Sequence, residues 1–198
     1  MNFNRLLKHV GLNEFCGYDL QNIRKRMTDL QIKVPEIFCE YYGKYAATES
    51  VRDSFNRILS PYEWYIQDGK LVFAEENQKV VFWGIDVNNS TKDPKVKVAN
   101  NSSVIEWFEE ELEFSTFFPF LFFYNIVMGT FQNFKKIIAS DEELKSLRTK
   151  SIFDAYDNGM RIIIKDKVLF AVWIGEQDHT IMANSKYTYS IEQYITGQ

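Results

Sequence analysis

Cysteine, histidine, proline and glycine are all scarce in this 198-residue chain, with two, two, four and nine copies. Cys16 and Cys39 are too few and too badly spaced for a disulfide framework or a zinc knuckle, and they read as reduced intracellular thiols. His9 and His179 lie near opposite ends of the sequence, outside any H-E-x-x-H pattern. His179 follows Glu176 and Asp178 in an expected hairpin turn, which predicts an exposed, solvated side chain. Cys39 stands between Phe38 and Tyr41 on a predicted helix, as a small buried thiol. The glycines are isolated, so neither G-x-G-x-x-G nor G-x-x-x-x-G-K-[ST] occurs to cradle a phosphate.

Positive charge is also short. The 23 lysines and arginines are scattered against 27 aspartates and glutamates, giving a net charge of -4 and a pI near 5.3. That balance argues against direct nucleic-acid binding and suits a basic protein partner. No signal-peptide pattern opens the sequence, so the expected location is cytoplasmic. The longest apolar run, FFPFLFFYNIVM at 117 to 128, falls short of the roughly 20 residues of a membrane span, and Asn125 interrupts it. It predicts a buried helix, capped by Ser115 and with Pro119 in its first turn.

What the chain does have is 45% apolar and 16% aromatic content, enough for a sizeable core. Phe3, Leu6, Leu7 and Val10 recur at helical spacing, as do Leu20, Ile23, Met27 and Leu30 after a cap at Asp19. Pro35 suits a first helical position before Ile37, Phe38, Tyr41, Tyr42 and Tyr45. Thr48 is the expected cap of a further helix carrying Val51, Phe55, Ile58 and Leu59. The period then becomes strand-like in YEWYIQDGKLVFAEENQKVVFWGI, with a hairpin turn at Asp68-Gly69. Lys95 to Val98 predicts an edge strand. Ser140 and Glu143 form a capping-box pattern, MRIIIKDKVLFAVWIGEQDHTIMA reads as three strands, and Tyr187, Ile191, Tyr194 and Ile195 mark a closing helix. The predicted fold is α+β, a largely antiparallel sheet built from meanders and packed by several helices, within one domain over 1–198.

The carboxylates do not pair into an acid and base. Glu75 and Glu76 are neighbours on a strand, pointing to opposite faces, and read as turn solvation. Glu109, Glu110 and Glu111 are expected on an exposed helix face or near a helix start, forming with Glu106 and Glu113 a dense acidic surface. Asp86, Asn88 and Ser90 match the first three ligand positions of an EF-hand, but Thr91 replaces the glycine and Lys97 the final glutamate. No catalytic, cofactor-binding or metal-binding residue is assigned.

A helix opened by Val34-Pro35, a meander containing LVFAEENQ, the strand end FWG, a polar loop and Asp93-Pro94-x-Val ahead of an apolar helix resemble the SUKH superfamily of Smi/Knr-like proteins. The resemblance covers about 20–128, with a strand-rich C-terminal extension at about 140–198. Lys95 and Lys97 stand where the family often has a second proline and an aromatic, Gly43 is all that remains of a glycine-rich turn, and residues 48–59 look inserted. The resemblance implies structural roles for Pro35, Trp83, Gly84, Asp93 and Pro94. It also implies a non-enzymatic scaffold, and for bacterial members an immunity protein neutralising a toxin, often a nuclease, of a polymorphic or contact-dependent system. Candidate partner contacts are Glu75, Glu76, Asp86, Asn88 and Asp93, with Asp178 from the second meander; Trp83 reads as core. The alternatives are a regulatory scaffold of the same fold, and an enzyme or small-ligand binder using the carboxylates near 86–93.

Overall fold

A computed structural model describes residues 2–195, the side chains of Glu192 and Ile195 excepted. Ile195 lies in the closing helix as expected, and only its side chain lies outside what is described. The fold is α+β, with antiparallel sheets. Where one sheet is expected there are two, and the chain divides into two compact units: Glu14–Leu121, and Met1–Asn13 with Phe122–Gln198.

Helix α1 (Phe3–His9) belongs to the second of these. Asn2 caps it by accepting the Arg5 N–H at 3.0 Å, and Phe3, Leu6 and Leu7 are buried.

The Glu14–Leu121 unit begins with α2 (Leu20–Asp29), which Asp19 caps as expected, accepting the N–H groups of Gln21 and Asn22. Helix α3 (Glu36–Lys44) follows Pro35, which is the capping residue itself, one position before the helix. The Thr48 helix is shorter than its apolar spacing suggests: α4 covers only Glu49–Arg52. Thr48 stands at its N-cap as expected, but its side chain makes no capping bond; the hydroxyl instead donates to the Tyr45 carbonyl at 2.7 Å. Ile58 then sits in strand β1 (Asn56–Ile58), because an i, i+3 apolar pair can be buried from an irregular segment as well as from a helix.

Strands β2 (Tyr65–Gln67), β3 (Lys70–Glu76), β4 (Val81–Asp86), β5 (Lys95–Asn100) and β6 (Trp107–Glu113) complete the first sheet, in the order β1-β3-β4-β5-β6 with β2 also on β3. The Asp68-Gly69 turn forms as read, with φ of 48° and 73°, a left-handed pair that glycine tolerates. Strand β5 is interior rather than an edge. The glutamate run lies near a helix start, one of its two expected places, but as strand β6, which shields β5, rather than on a helix face.

The inner face of the sheet carries an aromatic core centred on Phe38. Its ring lies 4.5 Å from Tyr42, 5.0 Å from Phe114, 5.3 Å from Trp64 and 5.9 Å from Phe73. Offset and edge-on pairs of this kind contribute roughly 0.5–1.5 kcal/mol each beyond their area. Helix α5 (Phe114–Asn125) supplies Phe114, and the division between units falls within it.

In the other unit α5 runs into a π-helical turn, Ile126–Thr130. Then come β7 (Lys135–Ala139), α6 (Asp141–Arg148), β8 (Phe153–Asp157), β9 (Met160–Lys165), β10 (Val168–Trp173), β11 (His179–Asn184) and α7 (Glu192–Ile195), with sheet order β7-β11-β10-β9-β8. The Ser140/Glu143 capping box is present in both directions. Leu144 and Leu147 of α6 pack with Ile163, Phe170, Val172 and Ile181. His179 is not solvated: it is 3% exposed on β11, its Nε2 2.8 Å from Asp141 Oδ1. The Gly175 N–H donates to Nδ1 at 3.4 Å, so the ring proton lies on Nε2 and is donated to Asp141.

Candidate interaction surface

Strand register sorts the first sheet's outer face into rows. Arg57, Glu75, Phe82, Ala99 and Trp107 face one another in sequence across β1, β3, β4, β5 and β6. The next row is Tyr65, Val72, Gly84, Lys97 and Glu109, and a third holds Gln67, Lys70 and Asp86. Alternation places Leu71, Trp83 and Ile85 on the opposite, inner face.

Small residues form the floor of this outer face, and aromatic rings lie over it. A Cβ added at Gly84 would stand 3.1 Å from the Trp107 ring, so the absence of a side chain there seats the indole. Trp107 meets Phe82 edge-on at 5.1 Å, and Tyr65 lies 6.5 Å from Phe82 on the other side. Tyr65 is 38% exposed, with Tyr62 (70%) nearby in the chain. Burial, with a smaller contribution from Glu75, raises the pKa of Tyr65, so the phenol is neutral across the physiological range.

Charged pairs frame the aromatic strip. Glu75 is buried rather than solvating a turn, and its carboxylate takes Arg57 Nη1, while Arg57 Nη2 reaches Glu63 Oε1 at 2.6 Å. Lys70 lies 3.6 Å from Asp86 and 5.2 Å from the centre of the Trp107 ring. Lys97 contacts Glu109 at 2.5 Å, and this hydrogen bond lowers the pKa of Glu109.

The sequence candidates separate accordingly. Glu75 and Asp86 share the outer face. Glu76 is half-buried and its Oε2 accepts the Val80 N–H at 3.4 Å. Asn88 holds two strands of chain together: its N–H donates to the Lys33 carbonyl and its Oδ1 accepts the Lys33 N–H, both at 2.9 Å. Asp93 Oδ1 accepts the Ser115 N–H at 2.9 Å and the Pro94 carbonyl accepts the Phe114 N–H at 2.8 Å, so Asp93-Pro94 caps α5. Ser115, expected as that cap, is instead capped. Asp178 is exposed and belongs to the other unit. Trp83 is half-buried, its Nε1 donating to Glu110 Oε1 at 2.8 Å.

Sequence reasoning passed over Tyr65, Trp107, Lys70 and Lys97. Tyr65 and Lys70 flank the Asp68-Gly69 turn on strands that the sequence marks, whereas Lys97 and Trp107 lie on β5 and β6, where the glutamate run hid the pairing of the two strands. Charge reinforces the choice of this unit: Glu14–Leu121 holds 12 Lys and Arg against 18 Asp and Glu, a balance of -6, leaving +2 for the remainder of the -4 chain. Among the described residues no group of three or more His, Cys, Asp or Glu side chains is placed to hold a metal ion, and no helix is long and apolar enough to cross a membrane. Comparison with family models, curated proteins and solved structures finds no match to this chain.

Proposed function

We propose that the protein is a non-enzymatic protein-binding domain of the SUKH kind, an immunity protein that neutralises a basic toxin domain such as a nuclease. The observation that carries this reading is the Tyr65–Phe82–Trp107 strip, framed by charged pairs on the unit that holds the chain's acidic excess. Aromatic anchors supply contact area at little entropic cost, and surrounding carboxylates steer a cationic partner and speed its encounter. The bonds of Asp86, Asn88 and Asp93 to Lys70, Lys33 and Ser115 weigh against the small-ligand reading, and they weigh equally against these three as partner contacts, which leaves the aromatic strip to carry the interface.

Co-expression with the C-terminal domain of a toxin encoded beside this gene tests the reading. Restored growth and a complex on size exclusion are expected. Failure of both would overturn the assignment for that pair, whereas a complex without rescue would favour the regulatory scaffold.

A further inference from the structure

Asn2, the cap of α1, and Arg5, Leu6 and His9 within the helix fall at i, i+3, i+4 and i+7, along one helix face. The adjoining face fixes α1 in place, because the Phe3 ring meets those of Phe122 and Phe123 edge-on, each at 5.4 Å. Together with Ile152, the four residues line a cavity of about 410 Å³. That volume lies within the range of small-ligand sites, and all five residues belong to one compact unit.

The lining has two characters. Leu6 and Ile152 give it an apolar wall, and Asn2, Arg5 and His9 a polar one. Asn2 Oδ1 is engaged by the Arg5 N–H, which leaves the amide NH2 of Asn2 to donate. The Arg5 guanidinium has no hydrogen-bond or ion-pair partner among the described residues. The buried His9 Nε2 has none either, and folded proteins rarely leave such an atom unsatisfied. Among the described residues of the lining, Arg5 carries the one permanent charge and no carboxylate accompanies it. The charge that matches it is therefore a single negative one, and the guanidinium fork fits a planar carboxylate through two parallel bonds.

We infer that this cavity binds a small monocarboxylate with an apolar body, its carboxylate held by Arg5 and Asn2, with His9 completing the polar wall and Leu6 and Ile152 covering the body. The cavity belongs to the unit that does not carry the aromatic strip, and the inference stands independently of the immunity reading.

The test titrates 3-phenylpropionate into the full chain and follows the imidazole ring protons by NMR, where His9 and His179 are the only two histidines. The His9 signals and the methyl groups of Leu6 and Ile152 should shift, while His179, which does not line the cavity, should not. 3-Phenylpropionamide keeps the body and loses the charge, and acetate keeps the charge and loses the body. Each should bind about tenfold more weakly or worse. Arg5→Gln should weaken 3-phenylpropionate about tenfold, as loss of a charged hydrogen-bond donor does. Lys8→Gln removes an exposed cation of the same helix that lies off the lining, and should leave the affinity unchanged. No shift at His9 up to the solubility limit of the probe, parental affinity in Arg5→Gln, or an equal response to the amide overturns the inference. Equal weakening by Lys8→Gln would also overturn it, by showing diffuse attraction to the helix, as would tighter binding of phenyl phosphate, by showing a dianion site.

Discussion

The Asp93 carboxylate accepts the backbone N–H of Ser115 across 22 residues of sequence. The bond ties the start of β5 to the start of α5, and it explains an aspartate-proline pair in that position. Asp93 satisfies an N–H that the first turn of a helix cannot satisfy itself, and Pro94, which has no N–H to place, offers its carbonyl to Phe114. Asp93→Ala should lower stability by about 1 kcal/mol, the usual cost of a lost cap, with Asp93→Asn recovering most of it in urea titrations.

Helix α5 contains its own defect and the remedy for it. Pro119 has no N–H to give the Ser115 carbonyl four residues back, and the Tyr41 hydroxyl donates there at 3.1 Å. Tyr41→Phe should cost about 1 kcal/mol. In a Pro119→Ala background the helix can supply the missing donor, so the same substitution should cost less. A double-mutant cycle by chemical denaturation reads the difference directly.

Burial also pushes the Tyr41 hydroxyl from 10.0 up to about 12. The folded protein keeps a proton that the unfolded chain loses between those values. Its stabilising effect is therefore complete below pH 10 and declines as pH rises toward 12. Alkaline unfolding of Tyr41→Phe should show a shallower fall over that window than the parent.

How much of this was legible depends on whether a signal was local. Asp19, the Asp68-Gly69 turn and the Ser140/Glu143 box act on backbone a few residues away, and each stands as read. Glu110 and Glu109 show the opposite case. On β6 one is buried beneath Trp83 and the other is exposed beside Lys97, yet both are glutamates, so no polar-apolar alternation marked the strand. His179 likewise followed acidic turn residues, and only the distant Asp141 explains its burial. The roles of Asp93 and Tyr41 depend on partners 22 and 74 residues away, which no local pattern contains.

In the second unit, the buried Asn184 amide donates to the carbonyls of Val127 at 2.9 Å and Phe131 at 3.0 Å, around the π-helical turn. Asn184→Asp would set a carboxylate oxygen against those carbonyls and should destabilise more than Asn184→Ala, which costs about 1–3 kcal/mol for the stranded acceptors. Thermal unfolding of the two variants orders them.

The outer face of the first sheet carries the central claim, and affinity for the toxin domain proposed as its partner tests it most directly. Isothermal titration of Tyr65→Ala and Trp107→Ala against the parent chain is the measurement, with circular dichroism confirming the fold. At least one variant should lose about 2 kcal/mol or more, as buried aromatic anchors do. Parental affinity in both would contradict the account and move the interface elsewhere.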